Sequence, residues 1–228
     1  MKTQTEITVA TLILDSVKLP PTLIPKLRGY IGWKFKEFDK VHNHDAETGK
    51  DIYRYPLYQF KLIEGKPAVI CVTVEAAMPI SEMFMEMTSI KIDGVDIPIH
   101  EKNLLISKTV AGYSEKPIAY RFGSPWIGLN QRNYAEYAKT VSLGEKRSVL
   151  NRALVGNILS LAKGLGVWLN KNETIRADTA LSEKPVKLKD NAMMGFTGEF
   201  EVNFHIPEYL GIGKSVSRGF GTVVKKNR

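Results

Sequence analysis

Two histidines stand one residue apart in KVHNHDAETGK, residues 40–50, a segment without hydrophobic periodicity. They are His42 and His44, half of the four histidines in the chain. An imidazole has an unperturbed pKa of about 6.5, so it can both donate and accept a proton near neutral pH. Three interpretations are open at this point: a pair of proton-transfer groups, a zinc site completed by Asp45 and Glu47, or a solvated loop without a function. No cysteine or further histidine stands at a spacing that would support the zinc site.

A glycine-rich segment near the C-terminus, GIGKSVSRGFG at residues 211–221, is the second candidate for chemistry. Two Gly-hydrophobic-Gly triplets enclose five residues, two of which are basic. Glycine permits positive φ angles and close approach of a backbone to a ligand, and successive amides in such turns can form an anion-binding concavity. We therefore expect this segment to hold a phosphate through Gly211, Gly213, Lys214, Arg218, Gly219 and Gly221.

Two familiar phosphate-binding loops do not fit this segment. A P-loop requires a glycine at position 208, which is Glu208, and the dinucleotide fingerprint requires one at position 216, which is Val216. The remaining alternative is a tight turn whose glycines only satisfy backbone geometry.

The first half of the chain shows alternating signals for strands and helices. β-Branched and apolar residues predict a strand, early prolines followed by apolar residues at helical spacing predict a helix, and a hairpin, a second helix and an extended segment follow. Their ranges are 5–15, 22–38, 53–76, 79–89 and 91–109. The order β-α-β-β-α-β is that of the ferredoxin-like unit, which many RNA-binding folds share.

The second half indicates a second unit of this kind that is degenerate at its last helix. A boundary rich in glycine and proline covers residues 110–120, the strand-like PIAYRF ends at Phe122, and a long helix is predicted over 146–169. The apolar side of that helix comprises Leu150, Leu154, Ile158, Leu161, Leu165 and Trp168. Two further strands follow. The sequence thus predicts an α+β protein of two tandem ferredoxin-like (RRM-like) domains: residues 1–112 with the histidine loop, and residues 113–228 with the glycine-rich loop.

The charge balance indicates a polyanionic partner. The chain of 228 residues has 32 basic and 24 acidic residues, a formal charge of +8, and neutralising phosphates releases their counterions. The single cysteine, Cys71, lies in an apolar run and excludes a disulfide within the chain, as is typical of a reducing compartment. No signal-type N-terminus and no run of about 20 apolar residues is present. We expect a cytoplasmic protein that does not enter a membrane.

The two candidate segments together resemble those of a known family. Gly-hydrophobic-Gly, five residues rich in Lys and Arg, and a second Gly-hydrophobic-Gly look like the C-terminal signature of the endoribonucleases that process CRISPR repeat RNA. The segment HNHDAETGKDIYRYP resembles the branch of that family in which two neighbouring histidines precede a tyrosine. The family fold is two tandem ferredoxin-like domains, in agreement with the order of elements.

This resemblance implies metal-independent cleavage of precursor CRISPR RNA. The 2′-OH beside the scissile phosphate attacks it and leaves a 2′,3′-cyclic phosphate and a 5′-OH. His42 and His44 would be the acid and base, and Tyr53, with Tyr55 as the alternative, would orient or protonate. A catalytic lysine recurs in the family, and Lys40 and Lys50 are its nearest candidates. No cofactor or metal is expected. The partners would be CRISPR repeat RNA and other subunits of an effector complex, and homodimer formation stays open.

Two other classes of function remain alternatives. The chain could be a catalytically inactive RNA-binding subunit of a CRISPR defence complex, or an enzyme that binds a different phosphate-bearing ligand through the glycine loop. His100 and His205 lie in extended runs, and we expect them to be structural. The interleaved aromatic and basic residues Tyr113, Tyr120, Arg121, Trp126, Arg132 and Tyr134 favour packing at a domain interface over stacking on unpaired bases.

Overall fold

The structure is a computed structural model that describes residues 3–35, 55–72, 74–188 and 191–226. His42, His44 and Tyr53 lie outside the described residues. The chain divides into two compact units. The N-terminal unit comprises residues 6–109 and 217–219, and the C-terminal unit comprises residues 1–5, 110–216 and 220–228.

The N-terminal unit has the strand order of a ferredoxin-like fold, with one hairpin added. Its elements are β1 (Gln4–Ile13), α1 (Ile24–Lys34), β2 (Tyr58–Ile63), β3 (Lys66–Val72), α2 (Val74–Glu86), β4 (Ser89–Ile92), β5 (Val95–Pro98) and β6 (Asn103–Phe122), of which β6 continues into the other unit. The strands lie in the order β2-β3-β1-β6. β3 is antiparallel to both neighbours, with Cys71 opposite Tyr58 on one side and opposite Ala10 on the other.

Helix α1 forms where the spacing of apolar residues predicts it. Pro21 opens a short 3₁₀ turn and Pro25 stands in the first turn of α1, where a missing N–H costs no hydrogen bond. Leu27 and Ile31 on its inner face are fully buried. The helix ends at Phe35, which leaves helical geometry while its N–H still donates to the carbonyl of Ile31.

The hairpin β4–β5 is an addition to the ferredoxin-like order. Its turn contains Asp93 and Gly94, both with positive φ, which is the two-residue turn that matches the twist of antiparallel strands. The sequence predicts only extended structure here, although the Asp-Gly pair is itself a hairpin signal.

The C-terminal unit repeats the strand order but has no helix between its last two strands. Besides the end of β6 it contains α3 (Gln131–Lys139), α4 (Leu143–Gly164), β7 (Ala177–Leu188), β8 (Asn191–His205) and β9 (Val223–Lys225). The order is β7-β8-β6-β9. The glycine-rich segment occupies the connection between β8 and β9, where a ferredoxin-like unit has its last helix. The predicted fold class, two tandem ferredoxin-like units of α+β type, is confirmed.

The long helix of this unit ends five residues before its predicted end. Leu165 closes it, and Gly166 follows with a φ of +71°. The N–H of Val167 then donates to the carbonyl of Ala162, which is the usual helix stop at a glycine. Trp168 therefore lies beyond the helix and is half exposed. The prediction that it belongs to the apolar side of this helix is wrong. Among the described residues, no helix is both long and apolar enough to cross a membrane.

Candidate nucleic-acid interface

The two glycine triplets lie side by side and form the base of an arm, residues 211–221, which we call the glycine arm. The N–H of Ile212 donates to the carbonyl of Gly221 at 3.0 Å, and Gly211 forms a single antiparallel bridge with Thr222. Leu210, Ile212 and Val216 are buried. The arm is thus part of the packed structure and not only a loop over its surface.

Close packing against protein atoms explains why two arm positions are glycine. A Cβ at Gly213, where φ is +92°, would lie 2.7 Å from both the carbonyl oxygen of Ile127 and the indole nitrogen of Trp126. A Cβ at Gly221, where φ is +63°, would lie 2.0 Å from the carbonyl oxygen of Ile212. These distances are shorter than any side chain tolerates, so close packing and positive φ together account for these two glycines.

The tip of the arm, Ser217–Gly219, belongs to the N-terminal unit. Arg218 forms a parallel bridge with Phe60 in β2. A Cβ at Gly219 would meet Ile24 Cγ2 at 3.2 Å and the carbonyl oxygen of Phe60 at 3.7 Å. The tip therefore lies between the first residue of α1 and the middle of β2.

The arm also carries positive charge. Lys214 is exposed and Arg218 is half-buried. Within the described part of the chain, neither forms an ion pair with a carboxylate. No described carboxylate therefore competes with a phosphate for either cation. The N–H of Lys214 donates to the carbonyl of Ile127 at 2.8 Å and that of Gly221 to the carbonyl of Pro125 at 2.9 Å, so these two amides are already used.

A buried lysine lies beside the tip, and the sequence offers no signal for it. Lys61 in β2 is fully buried, opposite Ala68. Burial lowers the pKa of its amine to about 7. A cation whose charge is this strongly disfavoured is a functional-site candidate. Because its side chain has no exposed surface, it does not reach a ligand in this conformation.

The residues that flank the histidine segment belong to the same unit as the tip. The described chain stops at Phe35, at the end of α1, and resumes at Tyr55, ahead of β2. Gln59 Nε2 donates to the Tyr55 hydroxyl at 2.7 Å and to the Pro56 carbonyl at 3.1 Å. Burial raises the pKa of Tyr55, and the bond from Gln59 opposes that rise. The catalytic roles assigned to His42, His44, Lys40 and Lys50 stay predictions, because these residues lie outside the described part of the chain.

Comparison with known proteins decides the family. The model of the Cas6b N-terminal domain matches residues 5–110, and that of the Cas6b C-terminal domain matches residues 112–226. This chain belongs to the Cas6b family. The predicted membership of the family that processes CRISPR repeat RNA is therefore confirmed, and the branch with two neighbouring histidines stays a prediction.

Two solved structures of Cas6b proteins are similar over nearly the whole chain. One, described as Cas6b, has a TM-score of 0.89 at 34% identity, and covers 97% of this chain and 100% of that one. The other, described as a CRISPR RNA processing endoribonuclease Cas6b, has a TM-score of 0.77 at 32% identity with the same coverage. The uncharacterized protein MJ0978 of Methanocaldococcus jannaschii is 48% identical over 115 residues, which are 50% of this chain and 76% of that protein.

Other polar residues of this Cas6b chain have structural surroundings. His205 ends β8 opposite Gly112, and burial, aided by Lys225, lowers the pKa of its ring. His100 is exposed, and its backbone N–H donates to Ser16 Oγ at 2.9 Å. Cys71 is buried, as its apolar neighbours predict.

The aromatic and basic residues near the domain boundary separate into two groups. Tyr120 and Trp126 are buried in the core of the C-terminal unit, where they stack on Phe200 and Phe122 with ring centroids 5.5 and 5.4 Å apart. The sequence predicts packing at a domain interface for these residues, whereas the ring contacts of Tyr120 and Trp126 lie within one unit. Arg121, Arg132 and Tyr134 are exposed.

The zinc alternative concerns residues that the structure does not describe. Over the described ranges, no group of three or more histidine, cysteine, aspartate and glutamate side chains could hold a metal ion. Because His42, Asp45 and Glu47 lie outside those ranges, their capacity to bind zinc remains untested.

Proposed function

We propose that this Cas6b chain is a metal-independent endoribonuclease that cleaves CRISPR repeat RNA. The observation that carries the proposal is the glycine arm. Its tip lies against α1 and β2, the two elements that precede and follow the histidine segment. Lys214 and Arg218 add positive charge without a carboxylate partner among the described residues. The similar structure described as a CRISPR RNA processing endoribonuclease supports the choice of substrate.

In the proposed reaction, one histidine of the pair His42 and His44 removes the proton from the 2′-OH. The 2′-oxygen then forms a bond to the adjacent phosphorus as the bond from phosphorus to the 5′-oxygen breaks. The other histidine donates a proton to that leaving oxygen, which gives a 2′,3′-cyclic phosphate and a 5′-OH. A positioned acid or base contributes about 10²- to 10⁴-fold to the rate. Tyr53 would orient or protonate the reacting groups.

The glycine arm would hold the RNA backbone. The proposed contacts are Gly211, Gly213, Lys214, Arg218, Gly219 and Gly221. Since the amides of Lys214 and Gly221 already donate to protein carbonyls, the attraction would come chiefly from the Lys214 and Arg218 side chains. The glycines would permit the close turns of the arm that present these side chains.

Cleavage of labelled repeat RNA in EDTA tests the proposal. We expect the wild-type chain to cut, and His42→Ala/His44→Ala to lose at least about 10²-fold in rate while it still binds RNA. His100→Ala, the same change at an exposed histidine outside the proposed site, should cut normally. A 2′-deoxy nucleotide before the cut should abolish cleavage but not binding.

Three results would contradict the proposal. Cleavage that survives loss of both histidines would exclude them as acid and base. Cleavage that EDTA abolishes would require a metal. Binding by the wild-type chain without any product would instead fit an inactive RNA-binding subunit.

A further inference from the structure

A groove lies between helix α1 and the β4–β5 hairpin, away from the glycine arm in sequence. We call it the α1 groove. It is lined by Lys26, Gly29, Tyr30 and Trp33 from the helix and by residues 91–93 from the hairpin, and its volume is about 400 Å³. Pockets for small ligands have volumes of about 300 to 1,000 Å³. The groove is therefore large enough for a flat ring.

The groove side of the helix runs from the edge of the core, where Tyr30 is partly buried, to the exposed Trp33. Leu27 and Ile31 point inward and are fully buried, whereas Tyr30 and Trp33 follow the other side at helical spacing. The Tyr30 hydroxyl donates to the carbonyl of Ser89 at 3.3 Å and so holds that ring against β4. The rings of Tyr30 and Trp33 are 6.4 Å apart between centroids and tilted by 40°.

Trp33 is the unusual residue of this surface. It is 73% exposed, whereas Trp126 in the core of the other unit is 0% exposed. A tryptophan exposed beside a second aromatic ring offers a large, rigid apolar face at low cost in conformational entropy. Gly29 keeps the floor of the groove open, because a Cβ there would meet nothing within 4 Å.

The charges around the groove favour a partner that combines an uncharged ring with phosphates. Asp93 forms an ion pair with Lys26, and Asp96 lies 3.8 Å from Lys91, so these two lysines and two carboxylates offset one another. Lys34 follows Trp33 directly in the helix, and the chain as a whole has a charge of +8. The groove thus combines an aromatic face with lysines and no excess of negative charge.

We propose that the α1 groove stacks an unpaired nucleobase of bound RNA on Trp33. The inference rests on the proposed function only in that this chain binds RNA. Stacking on an aromatic side chain tolerates every base, because each base has a π-face, and a neighbouring lysine can contact the flanking phosphate. The groove gives the chain a second RNA contact, distinct from the glycine arm.

Binding of a single-stranded oligoadenylate of 12 nucleotides tests the groove independently of cleavage. The test uses the His42→Ala/His44→Ala chain, in which the probe stays intact. Trp33→Ala should weaken binding by about 5- to 150-fold, the range for loss of one base stack. Trp168→Ala is the matched control, since Trp168 is also exposed, at 51%, but lies in the other unit. It should leave binding unchanged.

Two further variants separate stacking from other effects. Trp33→Phe keeps a ring and should recover most of the affinity. Gly29→Leu leaves Trp33 in place but fills the groove, so it should weaken binding although it removes a helix glycine and so favours the fold. A probe of the same length with abasic riboses should bind the wild-type and Trp33→Ala chains equally, because it keeps the phosphates but lacks bases.

Salt dependence distinguishes the groove from the arm. Trp33→Ala should lower affinity by the same factor at every salt concentration, because a stack releases no counterions. Arg218→Ala should instead reduce the slope of log affinity against log salt by about 1, as expected for one lost phosphate contact.

The outcomes separate failure of the groove from failure of the proposed function. A Trp33→Ala chain that binds oligoadenylate like the wild type, while the wild type still cuts repeat RNA, overturns the groove alone. Absence of any RNA binding by the wild-type chain overturns both. A change in sedimentation of Trp33→Ala with RNA binding unchanged would show that the groove contacts a second protein copy instead, and this too overturns the proposal.

Discussion

The two ferredoxin-like units differ in the last connection of each sheet. In the N-terminal unit this connection contains α2, which contributes Ile80 and Met83 to the core, and then the β4–β5 hairpin. In the C-terminal unit it contains the glycine arm, which buries Ile212 and Val216 instead. An irregular segment thus supplies the apolar side chains that a helix would supply. The same strand order is therefore compatible with either a helix or an irregular segment as its last connection, as long as that connection covers the apolar surface.

The first test of this comparison disrupts the close turn at the base of the glycine arm. Gly221→Ala places a Cβ 2.0 Å from the Ile212 carbonyl at a φ of +63°. We expect the free energy of unfolding to fall by about 3 kcal/mol or more, because backbone must move. Denaturant titration followed by circular dichroism measures this change.

A glycine in a regular element of the same unit is the matched control. A Cβ at Gly156 in α4 would meet nothing within 4 Å. Gly156→Ala should therefore stabilise the chain by about 0.5 to 1 kcal/mol. If Gly221→Ala were as stable as the wild type, the arm would not be part of the packed core.

The second test compares a buried lysine in one unit with an exposed lysine in the other. The folded state lowers the pKa of Lys61 from 10.5 to about 7. Between these values the unfolded chain binds more protons than the folded chain, so the free energy of unfolding rises with pH in this window. From pH 7 to pH 9 the rise from Lys61 should be about 2 kcal/mol.

Lys61→Met should remove this rise. The variant should be more stable than the wild type below pH 7, and the difference should shrink as the pH approaches 10.5. Lys184→Met makes the same change at an exposed strand position in β7 and should leave the pH dependence intact. Urea titrations at pH 7 and pH 9 measure both. Equal pH profiles for the wild type and Lys61→Met would contradict the burial of a lysine whose charge is disfavoured.

The smallest expected effect concerns how helices begin in the two units. α1 starts after Pro21 and Leu23 without a side-chain cap, whereas Asn130 caps α3 by accepting from the N–H of Asn133 at 2.8 Å. Asn130→Ala should cost about 1 kcal/mol of stability. Asn130→Asp keeps the hydrogen-bond acceptor and should lower the stability by less than half as much. Thermal unfolding of the two variants would refute the cap if both melted at the same temperature.

Several elements could be predicted because their signal is local. α1 and the hairpin β2–β3 have apolar residues at the required spacing and are bounded by proline or glycine. Helix α3 escaped prediction because only Tyr137 of its residues is buried, and one buried residue gives no apolar stripe. Its signal was Asn130, a preferred capping residue. The end of α4 was likewise signalled by Gly166.

The residues of the candidate site likewise divide into those that the sequence indicated and those that it did not. The glycine triplets stood out in the sequence because glycine restricts the possible interpretations at each position. Lys61 did not, because a lysine in a strand is ordinarily on the solvent side. Trp33 did not either, because an aromatic residue in an amphipathic helix is more often part of the core.

The sequence by itself indicated the family, the order of the main elements and the residues proposed to perform the chemistry, since residue type and periodicity are local properties. Only the tertiary structure decided that Ser217–Gly219 belong to the N-terminal unit, that Lys61 is buried and that Trp33 borders an open groove. These three facts depend on which distant segment covers each residue. Burial is a property of packing between elements, and no spacing within one element specifies it.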